Sequence, residues 1–200
     1  MVKFRTDLSK VLEDEKAVKL ALRDAGLAAR LLSQIAIKAL RTQRRQTGEH
    51  QTNRELRWHR PPGDPQYGTE LDCHIVLVKL YAQIFCFDNA PELTLDLKMR
   101  LERHYLGHVI EPDTYLDSLL LERFDFHDLL AEGLTPVHGH SSFHLGHEDP
   151  TVQPRHQPAN TGWRTHRSNL IQGNMTLREA RIYFLKLIGR YFELGEIDIT

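Results

Sequence analysis

Apolar residues recur at three- and four-residue steps from Asp7 to about Arg45, with Leu8, Val11, Leu12, Val18, Leu22, Leu31, Leu32 and Ile35 along one face. That period predicts amphipathic helix, divided in two at Gly26. From about residue 41 to 68 the periodicity stops, Gly and Pro accumulate, and the pattern predicts a loop or mobile arm, in which Trp58 either stacks on a base or, as is commoner for a lone Trp, covers a core edge. Further helices are predicted over about Glu70–Phe87, Thr94–Tyr105, Pro112–Leu121 and His127–Glu132. After Gly133 the texture changes. "LTPVHGHSSFHLGHEDP" alternates briefly and predicts a strand ending near His147, a proline-rich loop runs to Asn160, and "GWRTHR" predicts a second strand. Thr176 stands three residues before Glu179, a capping box that opens a helix over Leu177–Phe192. The predicted architecture is mainly α with a small α+β part: a helical body over 1–133 and a strand–loop–strand–helix module over 134–200.

Composition changes this picture little. The chain has 200 residues, 40% hydrophobic and 26% charged, as in a globular protein. No apolar run approaches the roughly 20 residues of a membrane span, and the polar start carries no leader-like apolar segment, so the expected setting is cytoplasmic, without a membrane. Cys73 and Cys86 lie in an apolar segment and read as buried structural thiols. Charge is more informative. The net value of −1 conceals fourteen Lys/Arg against seven Asp/Glu in residues 1–60, and five against fourteen in 61–135. Lys38, Arg41, Arg44, Arg45, Arg54, Arg57 and Arg60 form the densest basic cluster, suited either to phosphates or to a solvated helix end.

Histidine is concentrated as well. His138, His140, His144, His147, His156 and His166 are half of the chain's twelve. An imidazole at a strand end can take a proton from water near neutral pH, and a carboxamide opposite it can hold a hard cation at a phosphodiester. His147 and Asn169 offer those two functions.

The run "GHEDP…N…W…N..QGNMTLRE" resembles the HNH, or ββα-metal, nuclease motif found in colicins, homing endonucleases, restriction enzymes and CRISPR effector nucleases. The resemblance covers about residues 136–190. It implies that His147 is the general base, that Asn160 organises the intervening loop, and that Asn169 binds a divalent metal, Mg²⁺ or Mn²⁺, with Zn²⁺ or Ni²⁺ favoured if histidine completes the site. Two positions depart from the motif. Gly146 stands where the family places Asp or His, which leaves His144, His156 or Asp149 as the replacement ligand. Thr165 and Ser168 replace the cysteines of a supporting zinc knuckle, a role assigned here to packing by Trp163, Leu170, Ile171 and Met175. Arg155, Arg164 and Arg167, with Arg44, Arg45 and Arg57 of the arm, are the expected phosphate contacts.

The resemblance implies a metal-dependent endonuclease acting on double-stranded DNA, in a type II restriction setting or a phage or mobile-element one. A homodimer is allowed, with surface on the helical half. Two alternatives stand beside this reading: an HNH scaffold that binds nucleic acid without turnover, and a histidine-rich metal-binding protein.

Overall fold

Asp7 starts the first helix by accepting the Ser9 amide, and α1 (Leu8–Asp24) and α2 (Ala29–Leu40) are separated at Gly26, whose φ of +99° suits glycine. The structure, a computed structural model, describes residues 2–43, 46–47, 50–51, 53–135 and 141–197. Helix α3 (Glu70–Ile84) begins at Thr69, whose hydroxyl accepts the Asp72 amide. It is apolar nearly all round, and such a helix must be covered on every side. Helices α1 and α2 pack on it, and the second strand of the C-terminal hairpin closes another flank. Cys73 and Cys86 are free thiols in this core. Helix α4 (Leu95–Leu101) runs on into a π-helical turn over Glu102–Leu106, and α5 (Phe126–Leu134) follows.

The arm is more ordered than its composition suggests. Arg41 bridges Leu56, the Thr42 amide donates to the Glu55 carbonyl, and β1 (Gln46–Thr47) pairs antiparallel with β2 (His50–Gln51) before a 3-10 turn at Arg57–His59. Trp58 is half-buried against His59 and His74.

Strand β3 (Phe143–His147) pairs antiparallel with β4 (Thr161–Thr165), placing His147 opposite Thr161 and Leu145 opposite Trp163. Helix α6 (His166–Gln172) and then α7 (Leu177–Glu193), opened by the Thr176–Glu179 capping box, complete a β–β–α unit. The unit shares the body's core: Phe143 stacks near Phe87 and Phe124, while the indole of buried Trp163 donates to the Leu80 carbonyl at 2.8 Å.

Two expectations are overturned, for one reason. No helix forms over Pro112–Leu121; the chain turns there, with φ of +63° at Asp113 and +58° at Leu121. Nor do Leu170 and Ile171 pack under the hairpin, since they are 67% and 37% exposed. The fully buried Asp117 carboxylate organises both places. It accepts the Leu119 and Leu120 amides of its own turn, an alternative to helical pairing, and the Thr165 amide and Ser168 hydroxyl of the β4–α6 junction. The Arg164 guanidinium lies 3.4 Å away and also reaches Ser118 and Ser168. Thr165 caps α6 by accepting the Ser168 amide. Polar contacts at Thr165 and Ser168 thus tie down the segment that a zinc knuckle would hold.

Burial opposes the charged form of Asp117, but the hydrogen bonds from Ser168 and from the Leu120, Thr165 and Leu119 amides outweigh it and hold the carboxyl below its usual range. Its stabilising contribution is therefore present above the ordinary carboxylate pKa and is lost as pH falls through the lowered value. Asp117→Ala strands a buried guanidinium and is expected to cost about 3–5 kcal/mol, whereas Leu170→Ala should stay within about 0.5 kcal/mol. Thermal melting of the two variants checks this.

Candidate active site

The end of β3 presents His147, and its carbonyl and that of Glu148 accept the Gln172 side-chain amide at 3.0 and 3.1 Å, which ties strand to helix. Asn160, immediately before β4, is buried and fully committed to the loop. Its Oδ1 accepts the Asp149 amide at 2.8 Å, its Nδ2 donates to the Asp149 and Arg155 carbonyls at 2.8 and 2.9 Å, and its carbonyl accepts the Glu148 amide. Lys79 of α3 fastens the same loop by donating to the Pro158 and Thr161 carbonyls, both at 2.7 Å. Asn160 therefore faces loop backbone rather than open space.

Between β3, α6, the end of α2 and the arm lies a cavity of about 220 Å³. His144, His147 and Asn169 line it together with Lys38, Arg41, Thr42, Gln43, Arg54 and Arg57, and the Lys38 ammonium donates to the Phe143 carbonyl at the start of β3. The structure thus brings His147 and Asn169 to a common space. It adds Lys38, Arg41 and Arg54, which the sequence groups with the arm rather than with the site. The signal was the basic cluster itself; what was missing was the pairing of Arg41 with Leu56 that folds the arm back.

Other expected site residues are engaged by the fold or lie elsewhere. Arg57 is buried, and its Nε, Nη1 and Nη2 donate to the carbonyls of Ala39, Gln66 and Lys38, so it caps the end of α2 and is no free surface contact. Arg164 is 1% exposed and committed to Asp117, Ser118 and Ser168, which removes it from the phosphate contacts. Arg167 is exposed but paired with Glu122, and Arg155 reaches the Pro65 carbonyl at 3.4 Å. Arg44 and Arg45, like His138 and His140, lie outside the described residues. His156 is 1% exposed and stands beside His147, ring centroids 5.7 Å apart, but does not line the cavity with Asn169. His144 is drawn toward the Ser141 carbonyl at 2.9 Å and the His166 ring at 3.2 Å. Asp149 accepts the Thr151 amide and hydroxyl.

Gly146 has a local explanation. A Cβ there would fall 2.2 Å from Cγ of Arg164, which crosses the strand on its way to Asp117. The position where the HNH motif carries a ligand is thus occupied by the anchoring arginine. Among the described residues no three His, Cys, Asp or Glu side chains gather as a metal site. The cavity is lined by two carboxamides, Asn169 and Gln43, the Thr42 hydroxyl, two imidazoles and four basic groups, with no carboxylate among its lining residues, whereas Mg²⁺ and Mn²⁺ favour several oxygen donors, carboxylates above all. The residues present do not fit a protein-held hard cation; they fit an anion.

The imidazoles respond to the same surroundings. Burial, then the positive charges of Arg155 and Arg57, pushes His147 down to about 3. Burial, then Arg57 and His147, holds His156 well below its usual value. The His147 Nε2 and both His156 ring nitrogens are buried without a hydrogen bond.

Because both imidazoles stay neutral in the fold, the unfolded chain binds more protons below about pH 6.5, and stability falls as pH drops, by up to about 1.4 kcal/mol per pH unit for each ring. Denaturant titrations from pH 7 to 4 should show this slope, and it should be shallower in His156→Leu. Gly146→Asp should destabilise by at least about 1–3 kcal/mol, by displacing Arg164, and should not raise the affinity for Mn²⁺ measured calorimetrically.

No protein-family model matches the sequence, and no curated protein matches it. Among solved structures, one described as a type II restriction endonuclease is similar in fold, with a TM-score of 0.52 and 19% sequence identity. The similarity covers 64% of this chain and 55% of that one, so this chain spans about half the length of the structure it matches. At that identity the likeness is one of fold, a mainly helical chain with a small antiparallel hairpin.

Proposed function

We propose that this chain is an endonuclease of the HNH, ββα type, cutting phosphodiester bonds of double-stranded DNA in a restriction-like or mobile-element setting. The observation that carries the reading is the shared cavity: an imidazole at a strand end and a helix-borne carboxamide line one space with four basic side chains. The restriction-endonuclease neighbour supports the same reading at the level of fold.

In this proposal Arg41 and Arg54 hold the backbone phosphate and offset its charge. Asn169 orients a phosphate oxygen or the attacking water by hydrogen bonding. His147 takes the proton of that water as the oxygen attacks phosphorus, the bond from phosphorus to the 3′-oxygen breaks, and the departing 3′-oxygen takes a proton from solvent water. Asn160 and Lys79 keep the loop, and so His147, in place. No step is routed through a metal ion, because the donors on the cavity wall do not suit one.

A second reading has an observation of its own. A base whose pKa lies near 3 is a weak proton acceptor until an anion arrives, which favours nucleic-acid binding without turnover. An entering phosphate counters Arg155 and Arg57 and raises the imidazole pKa. The acid limb of kcat/KM, which reports the free protein, is therefore expected well below pH 6.5, and that of kcat higher.

The experiment is nicking of supercoiled plasmid with and without Mg²⁺ or Mn²⁺, with an EDTA arm. His147→Ala is expected to lower the rate at least about 100-fold. Wild-type binding with no nicking in any arm establishes the binding module instead. Arg41→Gln with Arg54→Gln should reduce the salt dependence of DNA binding by about 0.9 in log–log slope for each phosphate that is no longer neutralised. An unchanged slope removes these residues from the interface.

A further inference from the structure

Helix α7 is stably begun and poorly covered. Its capping box fixes the first turn, Ala180 is its buried residue, and Arg181 reaches the Ser118 carbonyl at 2.5 Å. Beyond Ala180 the helix leaves the body. Ile182, Tyr183, Leu185, Leu187, Ile188, Tyr191 and Phe192 are 38–70% exposed, and Leu194 and Ile197 just past its end are 74% and 44% exposed. At 100° per residue these side chains lie round most of the helix; Ile182, Leu185, Ile188 and Phe192 share one face, which with about 150–250 Å² per large side chain exposes on the order of 350 Å², the size of apolar patch that on a monomer is often functional.

Within the patch, Ile182, Leu185, Gly189 and Phe192 follow the i, i+3, i+7, i+10 spacing of a coiled-coil seam. Gly189 sits in mid-helix, where glycine costs stability, and a Cβ there would meet nothing within 4 Å in this chain. Its own surroundings give no reason for it; close approach of another backbone does. The charges choose the direction. Arg178 and Arg181 lie in the first turns and Glu193 and Glu196 at the end, Lys186 and Arg190 fall to the flank of the seam by helical spacing, and Glu179 is engaged by Thr176. Parallel pairing would set like beside like; antiparallel pairing sets the basic start beside the acidic end.

We propose that α7 is a dimer interface, in which two copies of this chain pair these helices antiparallel about a two-fold axis level with Leu187. In that register Ile182 lies opposite the partner's Phe192, and Leu185 opposite the partner's Gly189, a large residue on a bare backbone, with each contact made twice. The inference is independent of the nuclease reading, and the interface lies on the C-terminal helix rather than on the helical body.

Sedimentation equilibrium of the full chain from 1 to 100 µM is expected to give twice the 23.2 kDa chain mass. Leu185→Glu with Phe192→Glu should weaken association at least tenfold while leaving the melting profile of the dissociated chain unchanged, since both side chains are exposed in the single chain. Leu185→Cys with Gly189→Cys should form an inter-chain disulfide under mild oxidation, and the native Cys73 and Cys86 are buried and will not compete. A monomer at 100 µM, which would leave the face to another partner, overturns the proposal. So does a dimer indifferent to the glutamates, and failure of the cysteine pair to cross-link overturns the antiparallel register.

Discussion

The buried carboxylate of Asp117 is the contact on which the C-terminal unit depends. One oxygen gathers two amides of its own turn and the Ser168 hydroxyl, and the other takes the Thr165 amide with the Arg164 guanidinium beside it. Through Arg164 the effect reaches β3, because that side chain lies across Gly146 and leaves no room for a Cβ. The same network seats α6, which carries Asn169, and braces β4, which pairs His147 with Thr161. A carboxylate this deep is tolerated because its oxygens are supplied with donors, and it becomes a liability when any major partner is removed.

The candidate site follows from that scaffold. Asn160 and Lys79 spend their hydrogen bonds on the loop before β4, and Gln172 spends its amide on the carbonyls of His147 and Glu148. The polar groups lining the cavity are the imidazoles of His144 and His147, the carboxamides of Gln43 and Asn169, the Thr42 hydroxyl and a set of basic side chains. Burial and the nearby arginines keep the His147 imidazole neutral in the free protein. In the proposed function a bound phosphate would counter the arginines' share of that effect and raise the proton affinity of His147. Under that proposal the basic lining would serve the chemistry as well as the binding.

Much of this was legible in the sequence where periodicity or capping chemistry speaks locally. The divided helix at Gly26, the apolar α3, both strands of the hairpin and the Thr176–Glu179 start of α7 all carry such signals. So did the placement of His147 and Asn169 at a strand end and on the following helix. The turn around Asp117 did not, because its apolar spacing suits a helix and the donors that unwind it come from Thr165 and Ser168, some fifty residues later. For the same reason Arg164 and Arg57 read as surface cations: a guanidinium's destination depends on distant carbonyls and carboxylates that spacing does not reveal. The folding back of Arg41 and Arg54 onto the cavity is likewise a tertiary fact.

The proposal that His147 faces a DNA phosphate bound in this cavity is tested most directly by following its ring resonances by NMR across pH, with and without a short DNA duplex. A midpoint far below 6.5 is expected in the free protein, with a rise of about a unit or more when duplex is bound. A His147 midpoint that does not move on binding the duplex would contradict that placement.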